Sequence, residues 1–366
     1  MHILCSQNKI IKAINIAARA ISSRTTMPIL ECFLLEANEF FKISANDLEL
    51  AVETNPVEAN IIEKGAVAIN AKMFGDIIRR LPEDEVIIKV EENFLTYIKS
   101  GKAEFKLMGQ NSDDFPKLPD IEKINPYVLA ARDMRNIIRQ TIFSISTAED
   151  KPSLTGGLIE TEEGHIKLIT VDNFRISLRK EEILEGEENL SVIIPGKTLH
   201  ELSRILPDQG NLKIHFSEKN ALFEIEEGKI VSRLIEGEFL RYKQVLKQEY
   251  KTSFTVNQQV FLQALERSML ISTETRKTPV SFNIEKDKLI ITSQAEVGNL
   301  YEELEISVQG VTPLEISFNP KYLTDIVKVM DMEYIHLNFS TSLSPCIIEG
   351  ESTDKYTYLI LPVRTS

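Results

Sequence analysis

One eleven-residue pattern occurs three times in this chain of 366 residues. Ala71-Lys72-Met73-Phe74-Gly75-Asp76-Ile77-Ile78-Arg79-Arg80-Leu81 returns as Gly196-Lys197-Thr198-Leu199-His200-Glu201-Leu202-Ser203-Arg204-Ile205-Leu206. It returns again as Pro320-Lys321-Tyr322-Leu323-Thr324-Asp325-Ile326-Val327-Lys328-Val329-Met330. The three leading lysines stand 125 and 124 residues apart, and each has an acid four residues on and a base seven on. A second echo lies earlier in each unit. Ser144-Ile145-Ser146-Thr147 with Lys151-Pro152 reappears as Leu270-Ile271-Ser272-Thr273 with Lys277-Thr278-Pro279, and more weakly as 21–28. Solenoid and propeller repeats run to about 20–50 residues, whereas this spacing is that of a whole domain, about 100–150 residues. The chain is therefore one fold used three times, with units at 1–124, 125–248 and 249–366.

Each unit reads as helix, strands, helix, strands. Apolar residues at Ile10, Ile14, Ala17 and Ile21 fall on one helical face, which predicts a helix over 9–21. The others are predicted over 72–81, 132–144, 197–206, 259–271 and 321–330, two of them stopped by Pro82 and Pro207. Strands are expected over 29–36, 40–45, 47–53, 67–70, 86–90, 94–98 and 103–107 in the first unit, with the same order in the second. Gly156-Gly157 reads as a turn leading into strands expected over 157–161, 166–171 and 175–179. Two helices and many antiparallel strands per unit make the fold class α+β, with helices packed on one side of antiparallel sheets.

The formal net charge of −13 argues on its face against a nucleic-acid partner. The distribution reverses that argument. The six predicted helices and their flanks carry a net +10, so everything else carries −23. Base on helices and acid on strands describes either solvated helix faces or a surface that holds phosphate on one side and repels it on the other. The basic candidates are Lys9, Lys12, Arg79, Arg80, Arg135, Arg139, Lys197 and Arg204.

No chemistry-bearing motif appears: no G-x-G-x-x-G, Walker loop, H-E-x-x-H or C-x-x-C, and no histidine spacing suited to a metal. No cofactor is expected. Asp47 and Asp172 occupy matching places, but Ser293 stands at the third; a repeated turn residue fits better than a catalytic acid. Cys5, Cys32 and Cys346 are scattered and odd in number, as in reduced intracellular proteins. With no apolar run near the roughly 18 residues of a membrane span, a cytoplasmic, non-catalytic protein is expected. The C-terminal stretch Tyr358-Leu359-Ile360-Leu361-Pro362-Val363 is apolar almost to the end. Pro362 would stop a central strand and leave Leu361 and Val363 to line a surface groove.

Arg24-Thr25-Thr26-Met27-Pro28-Ile29-Leu30, Asp113-Asp114-Phe115-Pro116, Leu154-Thr155-Gly156, Asp172-Asn173-Phe174-Arg175 and the ending Leu361-Pro362-Val363-Arg364, at matching places in three units, resemble the bacterial sliding clamp, the beta subunit of DNA polymerase III, along the whole chain. The resemblance implies a head-to-tail homodimer closed into a ring. Its helices would line a hole around double-stranded DNA and grip it without sequence preference. It implies a processivity factor that tethers the polymerase III alpha subunit and is opened by a clamp loader. The alternative is a docking scaffold of the same fold that does not encircle DNA.

Carried over by position, Arg24 matches the family's DNA-contacting arginine. The pocket for partner peptides of the Gln-Leu-x-Leu-Phe kind corresponds to Leu154, Thr170, Val171, Asn173, Phe174, Arg175 and Ile176, to Leu240 and Val245, and to Leu359, Ile360, Leu361, Pro362, Val363 and Arg364. Asn173-Phe174 stands where the best-known members have Gly-His, and Leu240 where they have Pro. At the dimer seam, Phe105 and Leu107 should meet Leu270 and Ile271 of a second copy.

Overall fold

The computed structural model describes the chain except residues 23, 24, 124, 149, 187, 188, 272–277, 351, 352, 365 and 366. The backbone forms two compact units. The first comprises Met1–Arg132, Leu184–Gly186 and Arg204–Leu234, and the second comprises Asp133–Ile183, Glu187–Ser203 and Ile235–Ser366.

The first unit contains two antiparallel sheets. One has five strands, in the order Ala59–Glu63, His2–Ser6, Glu85–Val90, Leu95–Ser100, Ala103–Met108. The other has eight, in the order Tyr127–Ala130, Asn211–Phe216, Asn220–Ile225, Gly228–Arg233, Leu50–Thr54, Phe41–Asn46, Cys32–Ala37, Gly65–Asn70. Its middle ladder joins two sequence repeats: Gly228–Arg233 pairs with Leu50–Thr54, Ser232 lying opposite Leu50. The helices Gln7–Ala17 and Ala71–Ile78 pack together, burying Ile10, Ala13, Ile14 and Ala17 on one and Ala71, Phe74, Gly75 and Ile78 on the other. A Cβ on Gly75 would sit 3.6 Å from Ile14 Cγ2, an ordinary contact between the two helices.

The second unit is built on the same plan. Its nine-stranded sheet runs Ser191–Pro195, Gly156–Glu162, His165–Val171, Arg175–Glu182, Thr353–Ile360, Cys346–Gly350, Tyr334–Phe339, Thr252–Asn257, Ser307–Gly310. Here Arg175–Glu182 pairs with Thr353–Ile360, Arg175 lying opposite Ile360. A four-stranded sheet runs Gly298–Glu305, Lys288–Ala295, Val280–Ile284, Leu314–Phe318. The helices Gln258–Met269 and Pro320–Val327 pack together over an aromatic core that includes Phe254, Phe261, Phe282, Phe318 and Phe339. Asparagine caps recur at the helix starts. Asn70 Oδ1 accepts from the Met73 amide at 3.0 Å, and Asn319 Oδ1 from the Lys321 amide at 3.1 Å. Each satisfies a donor that helix geometry leaves unpaired. The first residue of each leading helix ties it to its companion: Gln7 Nε2 donates to Ile78 O at 2.7 Å and Gln258 Nε2 to Val327 O at 2.7 Å.

The helix and strand order follows the repeat, with several local differences. Residues 28–31 are a 3₁₀ turn, with Pro28 fixing the backbone, and the strand begins only at Cys32. Residues 47–49 form a turn before the strand Leu50–Thr54. The predicted helix 132–144 is an α-helix over Ala131–Arg139 followed by a 3₁₀ turn over Ile142–Ser144. Gly156-Gly157 is not a turn but the start of a strand, Gly157 lying opposite Ile194. A Cβ there would lie 2.4 Å from Ile194 O for Gly156, and 2.7 and 2.8 Å from the Leu168 and Leu199 side chains for Gly157. The glycines are required by lack of space. The strands His2–Ser6 and Ala59–Glu63 were not among the sequence expectations.

Candidate partner groove and basic helix faces

The groove residues lie in the second unit. Alternation along the strands divides them between two faces of the nine-stranded sheet. Val171, Ile176 and Leu359 share one face with Leu158, Ile169, Leu178, Ile193 and Ile347, and the Tyr242 ring packs on them with Leu154, Phe239 and Leu246 at the margin. The intervening residues point the other way. Ile360 belongs to the core beneath the helices. Thr170 Oγ1 donates to Thr141 O at 2.6 Å and is buried. The contiguous run read from sequence is thus corrected to alternate residues. Thr170, Arg175 and Ile360 support the sheet from behind.

Arg175 is held as a structural pin. It is only 7% exposed. Its Nε donates to Asp172 Oδ2 at 2.8 Å, its Nη1 to Asp325 Oδ2 at 2.8 Å and its Nη2 to Phe143 O at 2.5 Å. The guanidinium lies 4.4 Å from the Tyr322 ring centroid and 5.2 Å from that of Phe143. Planar, always charged and stacked, it suits this site as lysine would not. Asp172 in turn accepts the Phe174 and Arg175 amides at 2.8 and 3.0 Å, so it organises a turn rather than chemistry. Asp47 does the same for Glu49 and Leu50, at 3.0 and 2.8 Å.

Exposed apolar side chains surround the Val171–Ile176–Leu359 face in the chain: Phe174, Leu240, Val245, Leu361 and Val363, at 49, 41, 37, 38 and 39%. Phe174 stacks on Tyr322 with centroids 5.7 Å apart. Its carbonyl accepts from the Leu361 amide at 2.8 Å, and the Val363 amide donates to Ser317 O at 2.8 Å. These two bonds fix the C-terminal segment after its strand ends, with Pro362 half-buried and Asn173 and Arg364 exposed. Tyr322, the partner in that stack, was not among the residues singled out from the sequence. Its place inside the third copy of the lysine pattern was the signal that could have found it.

The short helix Tyr242–Leu246 carries Val245 and follows Leu240. Tyr242 OH donates to Glu160 Oε2 at 2.6 Å, and burial followed by that carboxylate pushes the phenol up, keeping it a donor. Lys243 Nζ lies 3.1 Å from Glu162 Oε2 and 3.7 Å from Glu160 Oε2. Lys167 and Lys243 together hold the Glu162 carboxyl down to about 2.

The basic candidates differ in exposure and surroundings. In the first unit Lys12 is exposed, and Arg79 Nη2 donates to Asn15 Oδ1 at 3.1 Å, joining the two helices on their exposed face. Lys9 pairs with Glu58, and Arg80 with Asp76 at 3.2 Å; Arg204 is exposed. In the second unit Arg139 Nη2 lies 2.5 Å from Asp331 Oδ2, Lys197 is exposed and Arg135 is half-buried. Arg24 lies outside the described residues, as do Ser272, Thr273 and Lys277 of the second echo.

Phe105 is exposed and Leu107 half-buried on the outermost strand of the five-stranded sheet. Leu270, 83% exposed, follows the helix Gln258–Met269, with Ile271 half-buried beside it. All three cysteines are buried and free, and burial pushes the Cys5 and Cys32 thiols up to about 11. Among the described residues, no group of three or more His, Cys, Asp or Glu side chains is placed to hold a metal. Nor is any described helix long and apolar enough to cross a membrane.

Comparison with known proteins agrees over the whole length. Residues 1–119 match the family described as DNA polymerase III beta subunit, N-terminal domain, residues 128–240 its central domain and residues 243–364 its C-terminal domain. The chain is 34% identical to the beta sliding clamp of Halalkalibacterium halodurans and 32% identical to that of Bacillus subtilis, covering 100% of each chain in both cases. The crystal structure of the DNA polymerase sliding clamp from Bacillus subtilis superimposes with a TM-score of 0.97 at 32% identity, again over 100% of each chain. The chain therefore belongs to the DNA polymerase III beta sliding-clamp family, non-catalytic processivity factors of DNA polymerase built from three tandem clamp domains.

Proposed function

We propose that two copies of this chain close head to tail into a ring around double-stranded DNA, and that the ring carries partners in the second-unit groove. One observation carries the ring. Two ladders inside the chain join one repeat to the next by the same pair of strands, Leu50–Thr54 with Gly228–Arg233 and Arg175–Glu182 with Thr353–Ile360. The remaining strands of those two kinds, at repeat spacing, are Gly298–Glu305 and Ala103–Met108. Each is the outermost strand of its sheet. Unpaired edges are templates for another chain, and this pair would repeat the internal ladder a third time between copies. A heterologous contact of this kind makes a closed ring when the rotation closes.

The apolar side chains agree. Ser144, the repeat counterpart of Leu270, is fully buried where the internal ladder forms, bonded to Ser177 at 2.6 Å. Leu270 and Ile271 would be covered in the same way by Phe105 and Leu107 of the second copy. On this reading the domains are 1–124, 125–248 and 249–366. Lys12, Arg79, Arg135, Lys197 and Arg204 face the phosphates, joined by Arg24 from the family pattern. Lys9, Arg80 and Arg139 lie on or beside the same helices, each paired with a carboxylate of its own chain. Contacts to phosphate alone give sequence-independent, salt-sensitive binding. The groove takes extended peptides of the Gln-Leu-x-Leu-Phe kind from the polymerase III alpha subunit, the clamp loader and other proteins, raising their effective concentration at the primer end.

The test loads the protein onto nicked plasmid with a clamp loader and ATP, then linearises half the sample. Retention on circles and loss from linear DNA is expected. Equal retention on both would mean direct gripping and remove the ring. In parallel, Leu270→Asp with Ile271→Asp should lower the solution mass from twice 41.6 kDa to one chain, because charge buried at an apolar seam is costly. A dimer that survives at low concentration would reject the seam.

A further inference from the structure

The groove has a wall that its own sequence does not stabilise. The helix Tyr242–Leu246 is five residues long, and no side chain caps its start at Arg241. Isolated helices shorter than about 12–15 residues are marginal in water. Yet Val245 lies on this helix and Leu240 just before it, two of the exposed apolar residues of the groove.

What anchors the helix is polar and lies on the sheet. Leu158, Glu160 and Glu162 alternate along one strand, so the carboxylates continue the face on which Tyr242 packs. Tyr242 drops its ring into the apolar cluster and donates from its hydroxyl to Glu160 at 2.6 Å. Lys243 reaches back to Glu162 at 3.1 Å, and Lys167 holds Glu162 from the neighbouring strand at 2.6 Å. Leu240 and Val245 thus stand on either side of Tyr242, the buried residue of the helix, with Lys243 bonded to Glu162 and Phe239 and Leu246 packed beside it. Their position depends in large part on where Tyr242 is held.

We infer that Glu160 and Tyr242 are positioning residues of the partner groove: their bond fixes the short helix so that Leu240 and Val245 are pre-placed for an extended apolar peptide. This rests on the groove reading given above. Pre-placement matters because a wall that must be ordered on binding takes its ordering entropy out of the affinity. Neither Glu160 nor Tyr242 needs to touch the peptide.

The experiment measures a fluorescent synthetic peptide, Gln-Leu-Ser-Leu-Phe, against the full-length protein by anisotropy. Glu160→Ala and Tyr242→Phe are each expected to weaken binding about tenfold, the scale of one hydrogen bond to a charged group. The double variant should be no weaker than either single, because both remove the same bond. Glu160→Gln, which keeps an acceptor for the phenol, should recover most of the affinity, a rescue that general loss of stability would not produce. Wild-type affinity in both single variants, or losses that multiply in the double, would overturn the inference. Leu361→Asp separates the two levels. If it abolishes binding while the Glu160 and Tyr242 variants bind normally, the groove stands and the positioning role falls. If Leu361→Asp still binds, the groove is misplaced and the inference falls with it.

Discussion

The turn at Asp47 in the first unit and the turn at Asp172 in the second are nearly the same backbone with opposite uses. In both, the aspartate amide donates 3.1 Å to the carbonyl three residues on, and its side chain accepts the two amides that close the turn. In both, the next repeat's strand arrives alongside: Arg233 N donates to Glu49 O at 2.9 Å, and Leu361 N to Phe174 O at 2.8 Å. The side chains then diverge. Leu50 closes the first turn as a fully buried apolar residue, whereas Arg175 closes the second as a buried cation pinned by two aspartates. Glu49 is exposed where Phe174 offers an aromatic ring. Beneath the first turn, Ala51, Leu222 and Val231 are covered by Ile121 and Leu118, with Asn46 Nδ2 donating to Pro116 O at 3.2 Å. Beneath the second, the equivalent face is covered by Tyr242 and leaves exposed apolar residues around it. The same turn is overlain by an irregular apolar segment in one repeat and by a short helix flanked by exposed apolar residues in the other.

The strongest way to break this comparison is to remove residues 361–366. The second-unit groove should lose partner-peptide binding by more than about a hundredfold, roughly 3 kcal/mol, while the protein keeps its dimer mass. Retained binding would mean that the exposed apolar residues of the second unit are not the adhesive ones. An effect of similar size separates the two turn closures. Arg175→Ala strands two aspartates and is expected to cost about 3 kcal/mol in urea unfolding, and Arg175→Lys should recover little of it. Leu50→Ala should cost a similar 2–5 kcal/mol by leaving a cavity. The difference lies in repair: adding Asp325→Asn should recover part of the Arg175→Ala loss by removing a stranded carboxylate, and none of the Leu50→Ala loss. No recovery in the Arg175→Ala background would remove the distinction between an ionic and an apolar closure.

Much of this was legible in sequence because the repeat carries it. Spacing alone carried the helix pairs and the recurrence of Asp47 as Asp172, and Pro362 marked the strand end that leaves Leu361 and Val363 exposed. What sequence did not carry is which face a strand residue occupies once strands from distant repeats pair. Thr170, Val171, Arg175, Ile176, Leu359 and Ile360 look like one continuous site, yet register sends alternate members to opposite sides. Charge was similarly half legible. Lys9 and Arg139 count as bases, but Glu58 and Asp331 lie 49 and 192 residues away along the chain, and only the folded chain shows that they neutralise them. Gly156-Gly157 failed for the same reason, since the lack of room for a Cβ is set by Ile194, Leu168 and Leu199 from other elements.

The finest test uses acid. In the first unit the cover over the apolar face is Leu118 and Ile121, with Lys123 paired to Glu224 beside them. In the second it is the helix Tyr242–Leu246, whose Lys243 is paired with Glu162. The Glu162 carboxyl is held to about 2, below its ordinary value of 4.5, first by the Lys167 hydrogen bond and then by that of Lys243. A depressed acid stabilises the folded form fully above its unfolded pKa and loses that contribution as pH falls through the folded one. The window is therefore from about 4.5 down to about 2. Glu162 and Lys243 are 45 and 54% exposed, so solvent screening keeps the effect small. Hydrogen exchange should show the Tyr242 and Gln244 amides losing protection across that window, and Glu162→Gln should remove that pH dependence. The same loss in Glu162→Gln as in the unaltered protein would mean that the ion pair adds nothing to the wall and that the hold on the helix comes from Tyr242 and its bond to Glu160.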